Sequence, residues 1–319
     1  MIRYIVRRLL WGVVILVVVC AITFILFRVL PTANPAVLRA GRDPQPKLIH
    51  EIEQILGLNK PIYVQLWEYL KEVFFHFNFG YSFYSQAPVL QLIVERLPAT
   101  VSLCVGGAIL WLGGGMLVGI IAGLNRGTYA DRFSMTAALV AISAPEFWLG
   151  LVALYLFASD IGKIPIFPGA GSYVPFSQDP SKWFGSLILP WIVVAAGSAA
   201  VFARLMRGNL ADTMSEDFIR TARAKGLPER AVTRQGVRHA VNPAFTAFGL
   251  ELGFLLGGAL LIEIVFNIPG VGTLNYHAIL SSDFPVIQGT VLLAAMFIVI
   301  MNIVVDVLYA FLDPRVRYS

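Results

Sequence analysis

The sequence predicts an all-α polytopic membrane protein with six transmembrane helices and a small helical insertion after the first of them. Hydrophobic residues make up 57% of the 319 residues, charged residues only 13%, and the mean hydropathy is +0.74. Soluble domains carry about 25% charged residues. Long apolar segments recur along the chain, and the basic residues concentrate in alternate connections between them, as is typical of cytoplasmic loops.

The composition also excludes several classes of function. The net charge of +5 does not indicate nucleic-acid binding, because Lys and Arg in a membrane protein mainly mark cytoplasmic loops. Cys20 and Cys104 fall in apolar segments, which argues against a disulfide or a metal site. No phosphate-binding loop occurs, since Gly162-Lys163 is followed by Ile164. We therefore predict a non-catalytic chain with no cofactor and no metal.

The first segment, residues 1–30, predicts a retained transmembrane helix with a cytoplasmic N-terminus. Arg3, Arg7 and Arg8 precede an uncharged run from Leu9 to Phe27. That run is longer than the core of about 7–15 apolar residues found in a secretory signal, and no convincing cleavage site follows it.

Residues 31–97 predict an extracytoplasmic subdomain of short helices. One helix starts at Asp43-Pro44-Gln45-Pro46 and is closed by Gly57, and an aromatic-rich segment runs from Pro61 to Phe79. Aromatic rings are frequent at membrane–water interfaces. This subdomain is expected to cap the helical bundle, with a second role in receiving a substrate-binding protein.

Spans two to six form the predicted core, residues 98–319. The second span, Leu97–Leu124, is rich in glycine, which permits close helix packing in lipid. The third runs from about Phe133 to Ala158 and is kinked at Pro145, because proline removes a backbone donor. Glu146, next to this proline, either contacts substrate or is held by backbone groups or a basic partner.

The last three spans frame a long polar connection. Span four covers about Phe184–Leu205, and a cytoplasmic loop occupies residues 208–242. Span five starts at Pro243 and ends near Phe266, and span six reaches Phe311. Intramembrane polar residues in this part of the chain are candidates for a translocation path: Glu251, Asn302 and Asp306.

A short basic helix is predicted inside the loop at residues 208–242. Thr213 and Glu216 have the spacing of a capping box at its start. Gly226 is suited to the left-handed conformation that ends a helix, and Pro228 discourages its continuation. Because this run is too polar for a bilayer, it is expected at the membrane face, where it meets another molecule.

The sequence from Arg220 to Gly226 resembles the EAA loop of ABC importer permeases of the dipeptide/oligopeptide branch. Further matches are Gly57-Leu58-Asn59-x-Pro61, Glu263-x-x-Phe266, Asp283-x-Pro285 and Asp313-Pro314-Arg315, so the resemblance covers essentially the whole chain. Two departures, Pro31-Thr32-Ala33-Asn34-Pro35 and Asn78-Phe79-Gly80, lack acids that the family usually carries on its outer face. The missing acids bear on two expectations, namely how the binding protein contacts this face and whether the chain carries the family's usual substrate.

The resemblance implies the type I ABC importer permease fold and a set of partners. These are a second homologous permease subunit in a heterodimer, two cytoplasmic ABC ATPase subunits, an extracytoplasmic substrate-binding protein and the lipid bilayer. It also implies ATPase-coupling residues: Glu216, Asp217, Arg220, Thr221, Ala222, Arg223, Ala224, Lys225 and Gly226. The expected function is import of di- or oligopeptides across the inner membrane of a prokaryote, with both termini cytoplasmic.

Other functions stay open at this point. The same architecture serves nickel chelates, glutathione or oligosaccharides in relatives of this kind. A secondary transporter that uses Glu146, Glu251 and Asp306 as a proton relay is a second class, which a proton gradient without an ATPase would energise. A membrane scaffold without a translocation path is a third, which a solvent-accessible cavity would exclude.

Overall fold

A computed structural model describes residues 2–29, 36–37, 45–55 and 57–312, and in this part of the chain most residues are helical. The helices are α1 (Ile2–Phe24, continued by a π-helical turn at Ile25–Val29), α2 (Pro46–Ile55), α3 (Ile62–His76), α4 (Val89–Leu124), α5 (Tyr129–Ser143), α6 (Glu146–Phe157), α7 (Pro180–Thr213), α8 (Asp217–Ala224), α9 (Glu229–Val265), α10 (Val271–Leu280) and α11 (Phe284–Leu312). The all-α prediction is confirmed.

Four helices are long and apolar enough to cross a membrane within the described residues. They cover Val6–Phe27, Val89–Leu124, Pro180–Thr213 and Phe284–Val304, and a fifth span is added if the bent pair α5 and α6 counts as one. The predicted fifth span lies within α9, where many side chains between 242 and 258 are outside the described residues. A polytopic membrane protein is confirmed, and the count of six spans stays a prediction.

The chain forms two compact units. The first comprises Met1–Pro98 and Gly270–Ile303, and the second comprises Ala99–Pro269 and Val304–Arg317. The predicted boundaries at residues 30 and 97 stay predictions.

In the first unit, α1 and α11 pack as an antiparallel pair. The rings of Phe27 and Phe284 stack with centroids 5.6 Å apart. The Gln288 side-chain amide donates to the carbonyl of Thr23 at 3.2 Å. Further along, Cys20 and Leu292 share one apolar cluster. These contacts place residues near 27 level with 284, and residues near 20 level with 292.

The first unit also contains the predicted helical insertion. Helix α2 begins at Pro46, as predicted, and Gly57 has a positive φ of 67°. Beyond α3, the segment from Gly80 to Pro88 is fixed by the buried carboxylate of Asp283. This carboxylate accepts hydrogen bonds from the Ser82 hydroxyl and from the backbone N–H groups of Phe83 and Tyr84.

In the second unit, glycines let α4 approach α7 closely. A Cβ on Gly106 would overlap the indole ring of Trp191, and a Cβ on Gly119 would lie 2.6 Å from the carbonyl oxygen of Ala203. The Trp191 indole N–H donates to the carbonyl of Ser102 at 2.9 Å. The glycine-rich pattern of span two therefore serves packing within the chain, as predicted.

The third predicted span is broken more sharply than a proline kink. Helices α5 and α6 meet at an angle of 109°. Ala144 is extended, with φ −99° and ψ 134°, and Pro145 has ψ 140° at the N-cap of α6. A residue before proline is disfavoured in the helical region, so two consecutive extended residues end one helix and start another.

The predicted start of span five at Pro243 stays a prediction, but it does not coincide with the start of a helix. Helix α9 runs without a break from Glu229 to Val265 and contains Pro243 in its interior. Because α7 likewise continues to Thr213, the polar connection is largely helical, and only residues 214–216 and 225–228 lie between its helices.

Candidate ATPase-coupling site

The basic helix predicted within the polar connection is α8. It begins after a backbone turn in which the N–H groups of Ser215 and Glu216 donate to the carbonyls of Asp212 and Thr213. Glu216 is the N-cap residue and makes no side-chain cap hydrogen bond. The capping box is therefore wrong: Thr213 belongs to the last turn of α7, and backbone bonds shape the entry to α8 instead.

The end of α8 follows the prediction. Lys225 is the C-cap residue, and Gly226 has a positive φ of 75°. That backbone conformation costs residues with a Cβ about 1–2 kcal/mol. Pro228 is then the N-cap residue of α9, so the chain reverses direction over very few residues.

The inner face of α8 is anchored on the chain's own α9. Ile219 and Val232 are fully buried and form an apolar cluster with Ala222, which is 6% exposed. A Cβ on Gly236 would lie 2.6 Å from the sulfur of Met214, so this glycine makes room for the residue that leads into α8. The close approach that Ala222 permits is thus to α9, within the same chain.

The outer face of α8 is open to solvent and carries more basic than acidic residues. Eight of the nine predicted coupling residues are exposed: Glu216, Asp217, Arg220, Thr221, Arg223, Ala224, Lys225 and Gly226. Arg220 is 72% exposed and has an ion pair with Asp217, with a separation of 3.3 Å. Such exposed pairs contribute little to stability, so the Arg220 side chain is readily redirected toward a partner.

Arg223 is paired across the turn that separates α8 from α9. Its Nη2 donates to Oε1 of Glu229 at 2.7 Å and its Nε donates to Oε2 at 3.3 Å. The hydrogen bond from Arg223 lowers the pKa of Glu229 below its ordinary value. The pair fixes the first turn of α9 against α8.

A second ion pair braces α7 a short distance before the basic helix. Arg207 donates to both oxygens of Asp131, with separations of 2.5 and 2.8 Å. The Asp131 carboxylate is nearly buried and also accepts the N–H of Gly127 at 2.9 Å. Sequence analysis missed this pair, although an acid three residues after a capping Thr128 is a recognisable first-turn signal.

The candidate residues of the translocation path are only partly brought together. Glu146 is the first residue of α6, and it lies close enough to Glu251 of α9 for their charges to interact. Glu251 has a hydrogen bond with Ser198, and its buried Oε2 has no partner in the described part of the chain. Asn302 is exposed on α11 in the first unit, and the side chain of Asp306 lies outside the described residues.

Comparison with known proteins identifies two adjoining family regions. Residues 1–104 match the N-terminal part of the binding-protein-dependent transport system membrane component. Residues 115–318 match the binding-protein-dependent transport system inner membrane component. The two matches together cover nearly all of the chain.

Individual relatives agree with this assignment over their full length. A putative peptide transport system permease protein of Brucella abortus (strain 2308) is 39% identical over 316 residues, which is 99% of each chain. The glutathione transport system permease protein GsiC of Salmonella paratyphi A is 39% identical over 320 residues, which is 100% of each chain. The chain therefore belongs to the family of inner membrane components of binding-protein-dependent transport systems, the permease subunits of ABC importers.

Proposed function

We propose that this chain forms half of the translocation path for short peptides and receives its driving force through α8. The observation that carries the proposal is the two-sided character of α8. Its inner face is buried against α9, and its outer face presents Arg220, Arg223 and Lys225 to solvent. A short helix held in this way transmits force to the membrane-embedded part of α9 and offers positive charge to an ATPase.

The coupling follows from differential binding. When ATP binding closes the two ATPase subunits, the groove that receives α8 changes position. This movement shifts the permease between its inward-open and outward-open states only if α8 binds the groove with different affinity in the two states. Asp217 to Gly226 supply the docking surface. The ion pairs Arg223–Glu229 and Arg207–Asp131 support this surface by holding the neighbouring helices in place.

The proposed substrate class is di- and oligopeptides, with glutathione as a related short peptide. One relative is named for peptide transport and another for glutathione transport, at the same 39% identity. Glu146 and Glu251 supply carboxylates to the path, where a cationic amino group of a peptide is a suitable ligand. Uptake of labelled dipeptides, with glutathione as competitor, separates the two substrates.

The proposed assembly contains a second homologous permease as a heterodimer, two ATPase subunits and an extracytoplasmic binding protein. Both termini of the chain lie in the cytoplasm. This orientation is supported by the basic residues in the first two turns of α1, in the turn before α5 and around α8, because short basic segments remain on the cytoplasmic side.

The test of coupling is the substitution Gly226→Val. The new side chain meets a positive φ, in a place where no other atom lies within 4 Å of its Cβ, so the strain acts on the exit from α8. We expect peptide uptake to be lost while the amount of protein in the membrane is unchanged. ATP-dependent uptake and the amount of permease in membranes are measured together.

The matched control is Gly127→Val. Gly127 also has a positive φ, 83°, and open space around it, but it lies in the turn before α5, outside α8. We expect the control to retain uptake. Normal uptake by the Gly226 variant, or an equal loss in both variants, would argue against a specific coupling role for α8.

A further inference from the structure

One side of α7 is left uncovered along the half of the helix nearer to α8. At about 100° per residue, three small or apolar residues lie within about 60° of Arg204 around the helix axis. The four residues are here called the open strip: Gly197, Val201, Arg204 and Gly208. A Cβ on Gly208 would meet no atom of another helix within 4 Å, and one on Gly197 would meet only Oε1 of Glu146, at 3.9 Å. Arg204 is exposed and has no ion pair or side-chain hydrogen bond in the described part of the chain.

Two neighbouring helices border the open strip. On one side, α5 is held by the ion pair of Asp131 with Arg207, which lies about 60° from Arg204 around α7. On the other side, α9 is held by the hydrogen bond between Glu251 and Ser198, which lies about 120° from Arg204 in the opposite sense. The open strip is therefore the floor of a groove between α5 and α9.

Both candidate carboxylates of the path lie at the end of this groove away from α8. Glu146 reaches the open strip at Gly197, and Glu251 reaches α7 one residue further on, at Ser198. Oε2 of Glu251 is buried and has no hydrogen-bond partner among the described residues. The charges of the two carboxylates also interact. This end of the groove is therefore suited to a cation.

The opposite charge is supplied by Arg204, nearer to α8 but still inside the apolar span. Gly119 of α4 packs against Ala203 and Met206 of α7. Arg204 is therefore level with Gly119, roughly 7 Å inward from the Leu124 end of that span. An arginine within a membrane span almost always faces protein or a water-filled cavity. Its planar guanidinium is suited to a carboxylate, which it binds through two parallel hydrogen bonds.

We propose that this groove binds a peptide by both ends, with its terminal ammonium group at Glu146 and Glu251 and its terminal carboxylate at Arg204. Positions 197 and 204 are seven residues apart, or roughly 10 Å along α7. An extended chain rises about 3.3–3.6 Å per residue, so a tripeptide matches this separation. The proposal rests on the transport of short peptides proposed above, and it adds the residue that selects a free carboxyl terminus.

The test compares uptake of labelled trialanine with uptake of its C-terminal amide. The full transporter is reconstituted in liposomes with its binding protein, and both peptides are supplied at saturating concentration so that loading of the binding protein does not limit the comparison. Arg204→Gln removes the positive charge, and Arg204→Lys retains one. The matched control is Arg238→Gln, because Arg238 is exposed on α9 about 200° around the helix from Ala240, which packs against α7.

We expect Arg204→Gln to lower the ratio of trialanine uptake to amide uptake about tenfold, because hydrogen bonds between charged groups are lost. Arg204→Lys should retain part of the preference, and Arg238→Gln should keep the wild-type ratio. An unchanged ratio in Arg204→Gln, or complete loss of uptake of both peptides, would overturn the proposal in favour of a structural role for Arg204. A wild-type transporter that imports neither peptide would instead refute the proposed transport of peptides.

The direction of the bound peptide is tested with N-acetyltrialanine, which has no terminal ammonium group. Glu146→Gln should lower the ratio of trialanine uptake to N-acetyltrialanine uptake, whereas Arg204→Gln should lower only the ratio to the amide. The reverse pattern would mean that the peptide binds in the opposite direction, and it would overturn the assignment of both ends.

Discussion

At the scale of single residues, the buried carboxylate of Glu263 shows how this chain tolerates charge inside α9. Glu263 is fully buried, and the Thr100 hydroxyl of α4 donates to its Oε1 at 2.6 Å. A buried carboxylate is costly unless its hydrogen bonds are made. Glu263 therefore links α4 and α9 of the second unit through this hydrogen bond. An acid within a membrane span is thus not by itself a sign of a translocation path.

Removal of this hydroxyl should destabilise the protein. Thr100→Val keeps the shape of the side chain and removes the donor to Glu263, so we expect a loss of about 1–3 kcal/mol in the free energy of unfolding. The measurement is the thermal unfolding midpoint of the purified protein in detergent.

The control for this prediction is Thr290→Val. Thr290 is also buried, but its hydroxyl donates to carbonyls of its own helix, Val286 and Ile287, at 2.9 and 3.0 Å. We expect a clearly smaller change. Equal midpoints for wild type and Thr100→Val would mean that the bond to Glu263 contributes nothing net.

Asn78, in the segment after α3, makes hydrogen bonds through both atoms of its side-chain amide. Asn78 accepts the N–H of Gly80 through Oδ1 and donates through Nδ2 to Glu72, both at 3.0 Å. The departure from the family pattern at residues 78–80 thus leaves a hydrogen-bonded turn, with the acid supplied by α3.

At the scale of elements, the contact of α4 with α7 depends on side-chain volume. The Cβ of an alanine at position 106 would overlap the Trp191 ring, whose indole is already fixed by its bond to Ser102. Interhelical packing in membranes relies on such small residues because lipid is as apolar as the helix surface. Gly106 is therefore a packing residue.

Two alanine substitutions on α4 should change stability in opposite directions. Gly106→Ala overpacks the contact with Trp191, and we expect a loss of about 1–3 kcal/mol. The new Cβ of Gly113→Ala meets no atom within 4 Å. Because alanine favours a helix over glycine by about 1 kcal/mol, we expect this variant to be more stable than the wild type. Chemical or thermal unfolding of both variants in one detergent checks this. A stabilised Gly106→Ala variant would contradict the close contact.

The break between α5 and α6 is the element whose geometry departs most from a simple span. The chain bends by 109° here, and Glu146 is the first residue of the helix that follows the bend. A carboxylate in the first turn of a helix is stabilised by the N–H groups and dipole there. The break thus offers a tolerable position for an intramembrane acid near Glu251.

At the scale of the whole molecule, the distribution of basic residues predicts the orientation in the membrane. Tyr84 lies in the connection before α4, predicted outside, and Tyr129 begins α5, after a connection predicted inside; both are more than 80% exposed. Cysteines at these two positions therefore report the two sides of the membrane.

We expect a membrane-impermeant maleimide to label Tyr84→Cys in spheroplasts and Tyr129→Cys only after permeabilisation. The unmodified chain is the control, since Cys20 and Cys104 are buried. Labelling of Tyr129→Cys in intact spheroplasts would reverse the proposed topology and move α8 away from any cytoplasmic ATPase.

The sequence by itself determined the class of the molecule and the position of the basic helix. Hydrophobic runs, basic loops and the residues from Arg220 to Gly226 carry that information locally, because hydropathy, charge and the conformation of Gly226 depend on few neighbours. The family is also visible at this level, since its motifs are consecutive residues.

Only the tertiary structure decided how far the long helices extend and which residues meet. Helix α9 continues through Pro243, whereas a proline in the sequence by itself favours a helix start or a break at that point. The pairs Asp131–Arg207 and Thr100–Glu263 join residues far apart in the sequence. Such contacts depend on how the spans pack against one another. The pattern of residues within one span does not identify which residue of another span each side chain contacts.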